Sequence, residues 1–311
     1  MGRGAAGVDT GADTGVVIDL HTHSTVSDGT ETPTELLATA VGAGVTVLAL
    51  TDHDTTAGWA EAAAARPSGM TLVRGAEFST VSPDGRGGEV TAHLLGYLFD
   101  PEDPAIVAEQ ERVRNSRRDR LRAMGERMAA GGLPIDGEAL LARLPADSPA
   151  GRPHIGQALV EAGVVGSVSE AFREILRKGG PYYVEKYNTP IAEAVAMIRA
   201  AGGVAVFAHP FARKRGDVVE ASVLRDLARE GLDGVEVDHP DHADDDRATL
   251  REVAAETGLL VTGSSDYHGT NKTTPIAVET TAPAVFEALV ARAAGRATGV
   301  EVLADGGVTA A

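Results

Sequence analysis

The sequence predicts an α/β fold in which short parallel strands alternate with helices and close into a barrel. Seven short apolar runs, rich in β-branched residues, recur along the chain and are mostly separated by Ala- and Leu-rich segments. This alternation is typical of strand–helix–strand units. Most of the runs are followed directly by histidine or carboxylate residues. Because the C-terminal ends of parallel barrel strands share one face, we expect these polar side chains to meet there.

The first strand–helix–strand unit is the clearest in the sequence. The runs "GVVIDL" and "VTVLALT" are its strands, and "TPTELLATAVGAG" between them is its helix, with Thr32 as N-cap, Pro33 as first helical residue and glycines at the exit. The remaining predicted strands are "MTLVRGAEF", "VTAHLLGYLF", "GGVAVFA", "GVEV" and "GLLVTGSS".

One connection departs from the alternating pattern. The segment "FSTVSPDGRGGEVTA" is rich in turn residues and lacks helical periodicity, so it predicts a β-hairpin centred near Gly85. In a symmetric register about Gly85, Glu77 lies opposite His93, with Cβ atoms about 4.5–5.5 Å apart.

The middle of the chain predicts a helical insertion over the C-terminal face of the barrel. A long helix begins at an Asp- and Pro-rich cap after residue 100 and ends at Gly131 and Gly132, and two shorter helices follow around "GEALLARL" and "RPHIGQALVEAG". The predicted organisation is a disordered leader, a discontinuous barrel, the insertion and a loose tail: 1–15, then 16–100 with 186–303, then 101–185, and 304–311.

Composition excludes several classes of function. The net charge of −17 over 311 residues argues against binding of long nucleic acids, but leaves room for a small phosphorylated substrate or a short oligonucleotide. The chain has no cysteine, so a metal site must use nitrogen and oxygen ligands. The N-terminus lacks the apolar core of a signal peptide and no stretch is long enough to span a bilayer. We therefore expect a cytoplasmic protein that needs neither a membrane nor an obligate protein partner.

Nine residues at or near the predicted strand ends form a candidate metal centre. A lone His-x-His pair is most often a pair of ordinary hydrogen-bonded residues, although strand periodicity does place His21 and His23 on one face. The recurrence of such residues at successive strand ends favours metal binding, and imidazole with carboxylate suits Mn, Zn or Fe. The nine candidate ligands are His21, His23, Asp28, His53, Glu77, His93, His209, Asp266 and His268.

The same residues stand in motifs that resemble those of the polymerase and histidinol phosphatase (PHP) family of metal-dependent phosphoesterases. The motifs "DLHTHSTVSDGTETP", "LALTDHDTTAG", "GAEFST", "HLLGY", "AHP" and "GSSDYHG" occur in the family's order between Val17 and Gly269. The insertion with "GRPHIGQALVEAG" resembles the branch that removes phosphate from nucleotides, including nucleoside 3′,5′-bisphosphates. The resemblance implies a distorted (β/α)7 PHP-type barrel that binds two to three divalent ions.

The resemblance also implies how the ligands divide among the ions. His21, His23, Glu77 and Asp266 would hold one ion, Glu77 would bridge to a second completed by His93 and His209, and Asp28, His53 and His268 would hold a third. Three carboxylates carry −3 against +6 from three divalent ions, so the site would be cationic inside an acidic protein.

A phosphomonoesterase mechanism follows from such a centre. Two ions held about 3.5–4 Å apart would share a hydroxide that attacks phosphorus, and they would clamp the attacking and leaving oxygens. Glu77, Asp266 and His268 are the predicted catalytic residues, and His268 is also a candidate to assist protonation of the leaving alcohol.

Five further residues are candidates for contact with the substrate. Arg152 and His154 lie at a predicted helix N-terminus, which favours anions. Arg117 or Arg118 would reach a second phosphate if that face of the long helix turns inward, and His239 follows a strand end. The alternative for each is a solvated surface residue or a helix cap.

Other functions stay open at this point. The closest alternative is 5′-to-3′ trimming of short RNA, followed by histidinol phosphatase activity. Amidohydrolases also begin with His-x-His on a barrel, but those with two metals commonly use a bridging lysine after the fourth strand, where this chain has no suitable Lys. A metal-binding interaction module without catalysis would be favoured by missing ligands, and none is missing.

Overall fold

The computed structural model describes residues 15–145, 148–296 and 302–304. Its strands are β1 (Ile18–Thr22), β2 (Val47–Leu50), β3 (Thr71–Pro83), β4 (Glu89–Tyr97), β5 (Thr189–Pro190), β6 (Val204–Ala208), β7 (Gly234–Asp238) and β8 (Leu260–Gly263). All but the two-residue β5 correspond to a predicted strand. These seven follow one another in the order β1-β2-β3-β4-β6-β7-β8, while β5 pairs with β3. A parallel bridge between Thr22 and Tyr267, just beyond β8, nearly closes the barrel.

The described helices surround this sheet. They are α1 (Pro33–Gly42), α2 (Trp59–Ala65), α3 (Pro104–Ala130), α4 (Gly137–Ala142), α5 (Arg152–Glu161), α6 (Val168–Glu174), α7 (Ile191–Ala200), α8 (Ala221–Glu230), α9 (Asp244–Thr257) and α10 (Pro283–Ala294). The predicted start of α1 is confirmed: Thr32 caps it in a reciprocal capping box with Glu35. Within the described ranges, no helix is long and apolar enough to cross a membrane.

Two apolar clusters hold the barrel together. Alternation along the strands sends Leu48 and Leu50 to the cluster that packs against α1, α2 and α7–α9, and sends Val47 and Ala49 to a second cluster on the opposite face. Leu289 of α10 joins this second cluster. Both clusters are almost fully buried, so the sheet is a firm base for side chains at its ends.

The β3–β4 hairpin is present, but its predicted register is wrong. His93 lies opposite Ser79, and Glu77 lies opposite Leu95. Because a displacement of two residues along one strand preserves the face of a side chain, Glu77 and His93 still project to the same side of the hairpin.

The turn explains the displacement. Pro83 is the last residue of β3 and pairs with Glu89, so five residues connect the strands and the hairpin is centred on Arg86 instead of Gly85. The Asp84 carboxylate accepts hydrogen bonds from the backbone N–H groups of Arg86 and Gly88, at 2.6 and 2.9 Å. This local side-chain interaction stabilises the longer turn, and strand periodicity alone does not reveal it.

Glu77 and His93 lie inside strands and not at strand ends, contrary to the prediction for Glu77. They are nevertheless level with the ends of neighbouring strands, because Glu77 forms a bridge with His53 just beyond β2 and His93 pairs with Ala208, the last residue of β6. The long hairpin therefore continues past the rim where the shorter strands stop.

The insertion forms a helical layer with its own apolar core. Helix α3 and two of the three shorter helices were predicted, whereas α6 was not. Leu121, Met124 and Met128 of α3 pack with Ile155 and Leu159 of α5. The predicted division of the chain into barrel and insertion stays a prediction. The predicted leader and tail lie outside the described residues, apart from residues 15 and 304.

Candidate metal centre

The fully buried His21 and His23 begin the site at the end of β1. Their Nε2 atoms are 3.0 Å apart, and each lies 3.1 Å from Oε2 of Glu77. Each also lies 3.4 Å from Oδ1 of Asp266, which follows β8. Two imidazoles and two carboxylates from three strands therefore converge on one small volume, as predicted.

The second oxygen of the Glu77 carboxylate faces another group. Its Oε1 lies 2.8 Å from Nδ1 of His93 and 3.0 Å from Nε2 of His209. One carboxylate thus turns one oxygen toward each of two histidine groups, which is the geometry of a bridging ligand.

Asp28 is the centre of a third group. Its Oδ1 lies 3.3 Å from Nε2 of His268, and its Oδ2 lies 3.8 Å from Nε2 of His53. Nδ1 of His23 is 3.8 Å from Oδ1 of the same carboxylate. All nine predicted ligands are therefore in one connected cluster.

The contacts within this cluster fit a group of divalent ions. Nδ1 of His53 and Nδ1 of His93 are buried and lie 3.2 and 2.8 Å from Glu77 oxygens, yet neither forms a hydrogen bond within the described part of the chain. Nitrogen and oxygen donors that approach one another without hydrogen-bond geometry suit an ion between them. The donor set of imidazoles and carboxylates is one that Mn, Zn and Fe accept.

Three of these side chains, His53, His268 and Glu77, are already in the protonation state that binds a cation, whereas His23 must lose a proton to do so. Burial disfavours the charged imidazoles and lowers the pKa of His53 to about 3 and that of His268 to about 4, so both rings keep a free lone pair at neutral pH. Burial alone would raise the pKa of Glu77, but His93, His53 and His21 outweigh it and hold this pKa well below its usual range. Burial also opposes protonation of His23, yet hydrogen bonds to Asp266 and Glu77 raise its pKa to about 9.

Two buried aspartates hold the loops that carry the ligands. Asp52 accepts hydrogen bonds from the N–H and hydroxyl of Ser24 and from the hydroxyl of Ser27, at 2.7–2.8 Å, and so holds the turn that presents Asp28. Asp54 binds the N–H and hydroxyl of Ser79. The two aspartates therefore orient the candidate ligands around them, as outer residues do in metal sites.

The backbone is strained at three points of the site. Asp54, His209 and Asp266 have positive φ angles of 51°, 31° and 52°, which residues other than glycine seldom adopt. Such conformations persist where the surrounding structure enforces them, and they concentrate at functional sites.

Three charged residues beside the centre were not predicted. Glu236 is fully buried, and its carboxylate lies 3.1 Å from Nδ1 of His21 and accepts a 2.8 Å hydrogen bond from the N–H of His209. Arg215 and Lys272 both contact Asp266. A glutamate between valines in "GVEV" was a signal that could have identified Glu236, whereas the two cations lie in loops without periodicity.

The five predicted substrate-binding residues occupy different surroundings. Arg117 is buried, pairs with Asp54 at 2.7 Å and donates to Ser79, while Arg118 turns toward Pro145, whose carbonyl it binds at 3.3 Å. The other three have the following contacts. Arg152 donates to the Leu176 carbonyl, and His154 accepts a hydrogen bond from the Gly151 N–H. The buried His239 has its Nε2 atom 3.4 Å from Asp266.

Comparisons with known proteins agree with this geometry. The PHP domain model matches residues 19–124. A 3′,5′-nucleoside bisphosphate phosphatase of Chromobacterium violaceum is 37% identical over 256 residues, covering 81% of this chain and 87% of that protein. The chain belongs to the PHP family. A second PHP relative, a 5′-3′ exoribonuclease of Haemophilus influenzae, is 36% identical over 80% of this chain and 89% of its own length.

Solved structures show the same PHP architecture. A metal-dependent phosphoesterase from Bifidobacterium adolescentis superposes with a TM-score of 0.81 at 34% identity, covering 88% of this chain and 95% of that one. A protein from Chromobacterium violaceum, named as an amidohydrolase and solved with bound sulfate, superposes with a TM-score of 0.77 at 33% identity. The match covers 93% of this chain and 98% of that one. The family resemblance and the barrel are confirmed, and the chain is a metal-dependent hydrolase of phosphoester bonds.

Proposed function

We propose that this hydrolase is a phosphomonoesterase that releases phosphate from small nucleotides, with nucleoside 3′,5′-bisphosphates as the best substrates. The convergence of nine buried or half-buried ligand side chains around Glu77 is the main observation behind the proposal. The name of the Chromobacterium violaceum phosphatase points to the same substrate class.

We assign the ligands to two or three divalent ions, with Mn, Zn or Fe as candidates. His21, His23, Glu77 and Asp266 would hold the first ion, and Glu77 would share the second with His93 and His209. Asp28, His53 and His268 would hold the third. When bound, such ions supply an activated water and the positive charge that a phosphate ester needs.

Hydrogen bonds to the histidine rings identify which nitrogen carries the proton. His268 Nδ1 lies 2.9 Å from the Asp266 carbonyl and donates to it, so Nε2 presents a lone pair toward Asp28. This tautomer suits a ligand and leaves His268 without a proton for the leaving alcohol. His239 has the opposite arrangement: its Nδ1 accepts from the Asp241 N–H at 3.0 Å, so Nε2 carries the proton and faces the site. His239 is therefore the better donor to the leaving oxygen.

A second phosphate would bind on the insertion side of the centre. Arg117, Arg120, Arg152 and Lys186 form a group of cations that we call the basic cluster. Burial, together with Arg117 and Arg152, lowers the pKa of Arg120 to about 9, and burial and Arg117 depress the pKa of Lys186. Cations that disfavour one another's charge in a buried place are stabilised by an anion between them.

The basic cluster would distinguish nucleotides with two phosphates from those with one. It adjoins the centre because Arg117 contacts Asp54, the residue after His53. A nucleotide with two phosphates would place one at the ions and one at the cluster. The next phosphate of a short RNA would bind there equally well, and the Haemophilus influenzae relative makes 5′-3′ exoribonuclease activity the second candidate.

A substrate panel tests the proposal. The protein, supplied with Mn²⁺, is assayed for release of inorganic phosphate or nucleotides. The substrates are nucleoside bisphosphates, nucleoside monophosphates, histidinol phosphate and 5′-phosphorylated oligonucleotides. We expect the highest kcat/KM for bisphosphates. Turnover of histidinol phosphate with no nucleotide hydrolysed would refute the assignment, and faster release of mononucleotides from the oligonucleotides would establish the exonuclease instead.

A further inference from the structure

Asp266 is held asymmetrically at the edge of the metal centre. Its Oδ1 faces His21 and His23, while its Oδ2 lies 2.6 Å from Nη2 of Arg215 and 2.7 Å from Nζ of Lys272. Arg215 reaches the site from the 3₁₀ turn after β6, and Lys272 from the loop after β8. One carboxylate oxygen thus contacts two cations.

Two cations on Asp266 are energetically unfavourable if the only role of this carboxylate is to bind a metal ion. If Oδ1 of Asp266 binds a divalent ion, the carboxylate charge is already compensated. A guanidinium and an ammonium on the other oxygen then repel that ion. Orientation of the carboxylate does not require charge, since neutral donors such as the hydroxyls of Ser24 and Ser27 hold Asp52 in the same site. Asp266 and Asp241 together balance the two cations, so a bound divalent ion leaves this place with a net positive charge that indicates an anion as a further partner.

The two cations are also accessible from outside. The side chains of Arg215 and Lys272 are 34% and 31% exposed, and both line a cavity of about 590 Å³ between the barrel loops and the insertion. His239, whose Nε2 donates toward the site, lines the same cavity. Arg215 is kept in place by Asp241 at 2.7 Å. The cavity therefore lies on the Oδ2 side of Asp266, and Arg215, Lys272 and His239 give it a wall of hydrogen-bond donors.

We infer that Arg215 and Lys272 bind the oxygens of the phosphate that is hydrolysed and of the inorganic phosphate that is released. The inference rests on the proposed function, because it takes Asp266 as an ion ligand. Arg215 offers a bidentate fork and Lys272 a single strong donor, both suited to a phosphoryl group. The cavity is the side from which this phosphate enters and leaves.

Neutral variants separate this role from simple orientation of Asp266. The Kd of inorganic phosphate is measured by calorimetry on protein supplied with Mn²⁺, and the Kd of Mn²⁺ on metal-free protein. Arg215→Gln and Lys272→Met should each raise the phosphate Kd and lower kcat/KM at least about tenfold, as loss of a hydrogen bond to a charged group predicts. Mn²⁺ should bind as tightly as before or more tightly.

Arg213→Gln is the matched control, because Arg213 lies in the same turn but is 60% exposed and pairs with Asp246 instead of Asp266. It should change neither constant. Mn²⁺ binding weakened in Arg215→Gln and Lys272→Met with an unchanged phosphate Kd would overturn the inference and make the two cations orienting residues. Unchanged values for both ligands would overturn it as well.

Asp266→Asn distinguishes failure of the inference from failure of the proposed function. If Asp266→Asn keeps full Mn²⁺ affinity and activity, the ligand assignment is wrong. If Asp266→Asn loses both while Arg215→Gln and Lys272→Met behave like the unsubstituted protein, only the inference fails. Should Arg215→Gln fold poorly, Arg215→Lys retains the charge, and Lys272→Met alone still decides the outcome.

Discussion

At the residue scale, the account depends on Glu77, whose two oxygens face different histidine groups. The ligand residues could be predicted from sequence because each stands in a short motif that ends or follows an apolar run. Arg215 and Lys272 could not, since they lie in loops without periodicity and their contacts with Asp266 depend on how these loops fold. The glutamate between valines in "GVEV" was a signal for Glu236 that the prediction did not use. Motifs therefore pointed to the candidate ligands but not to the residues that surround them.

Replacing Glu77 is the sharpest residue-scale test of the proposal that this carboxylate is shared by two ions. Glu77→Gln keeps the shape but removes the charge that both histidine groups face. We expect phosphate release to fall by about three orders of magnitude or more and at least one equivalent of bound metal to be lost, as measured by elemental analysis. Glu89→Gln, on the exposed end of the same hairpin, is the control and should behave like the unsubstituted protein. Near-full activity in Glu77→Gln would remove Glu77 from the mechanism.

The basic cluster allows a second residue-scale prediction. Lys186→Met removes one half-buried cation, whereas Lys178→Met removes an exposed one from the same segment. We expect Lys186→Met to raise KM for a nucleoside bisphosphate about tenfold or more while KM for a monophosphate changes little, because only the former has a second phosphate. Equal effects on both substrates would show that Lys186 does not distinguish them. Arg152 is less suitable, since it also contacts Phe172 and Tyr183 inside the insertion.

At the scale of elements, the strands were predicted well and their exact pairing was not. Apolar runs identified every described strand except the two-residue β5. The length of β3 and the centre of the hairpin depended on hydrogen bonds of Asp84 that strand periodicity does not show. Because the error displaced the pairing by two residues, it left Glu77 and His93 on one face of the hairpin. Helix α6 was missed, although Ser167 caps it.

The turn that presents Asp28 gives an element-scale prediction. A Cβ on Gly29 would lie 2.5 Å from the carbonyl oxygen of His23. Gly29→Ala must therefore displace this turn from Asp52 and move Asp28 away from His268. We expect loss of about one metal equivalent and a lower melting temperature, measured by elemental analysis and calorimetry. Gly42→Ala, where the added Cβ meets nothing within 4 Å, is the control. Full metal content in Gly29→Ala would argue against an ion at Asp28.

At the scale of the whole molecule, the proposal places an anion-binding centre inside an acidic chain. The net charge of −17 disfavours long nucleic acids, whereas bound divalent ions, the basic cluster, Arg215 and Lys272 would make the interior of the site locally positive. The barrel could be predicted from the order of strands and helices, whereas its division from the insertion stays a prediction. The cytoplasmic location expected from the sequence stays a prediction.

Metal removal gives the whole-molecule prediction. Without ions, the buried carboxylates at the barrel mouth lose their compensating charge. An ion at a hundred times its Kd stabilises the native state by about 2.7 kcal/mol. We expect chelation to lower the melting temperature by at least about 3 °C and Mn²⁺ to restore it. Glu77→Gln should show a smaller shift. An identical melting temperature with and without chelator would contradict metal binding by the folded site.

The central claim is that the gathered ligands hold the ions that hydrolyse phosphate from small nucleotides. The most direct test adds Mn²⁺ stepwise to metal-free protein and follows phosphate release from a nucleoside 3′,5′-bisphosphate. We predict almost no release without metal and a rise to a plateau at two to three equivalents. Full activity in the presence of chelator, or no release at any Mn²⁺ concentration when Zn²⁺ and Fe²⁺ also fail, would contradict the account.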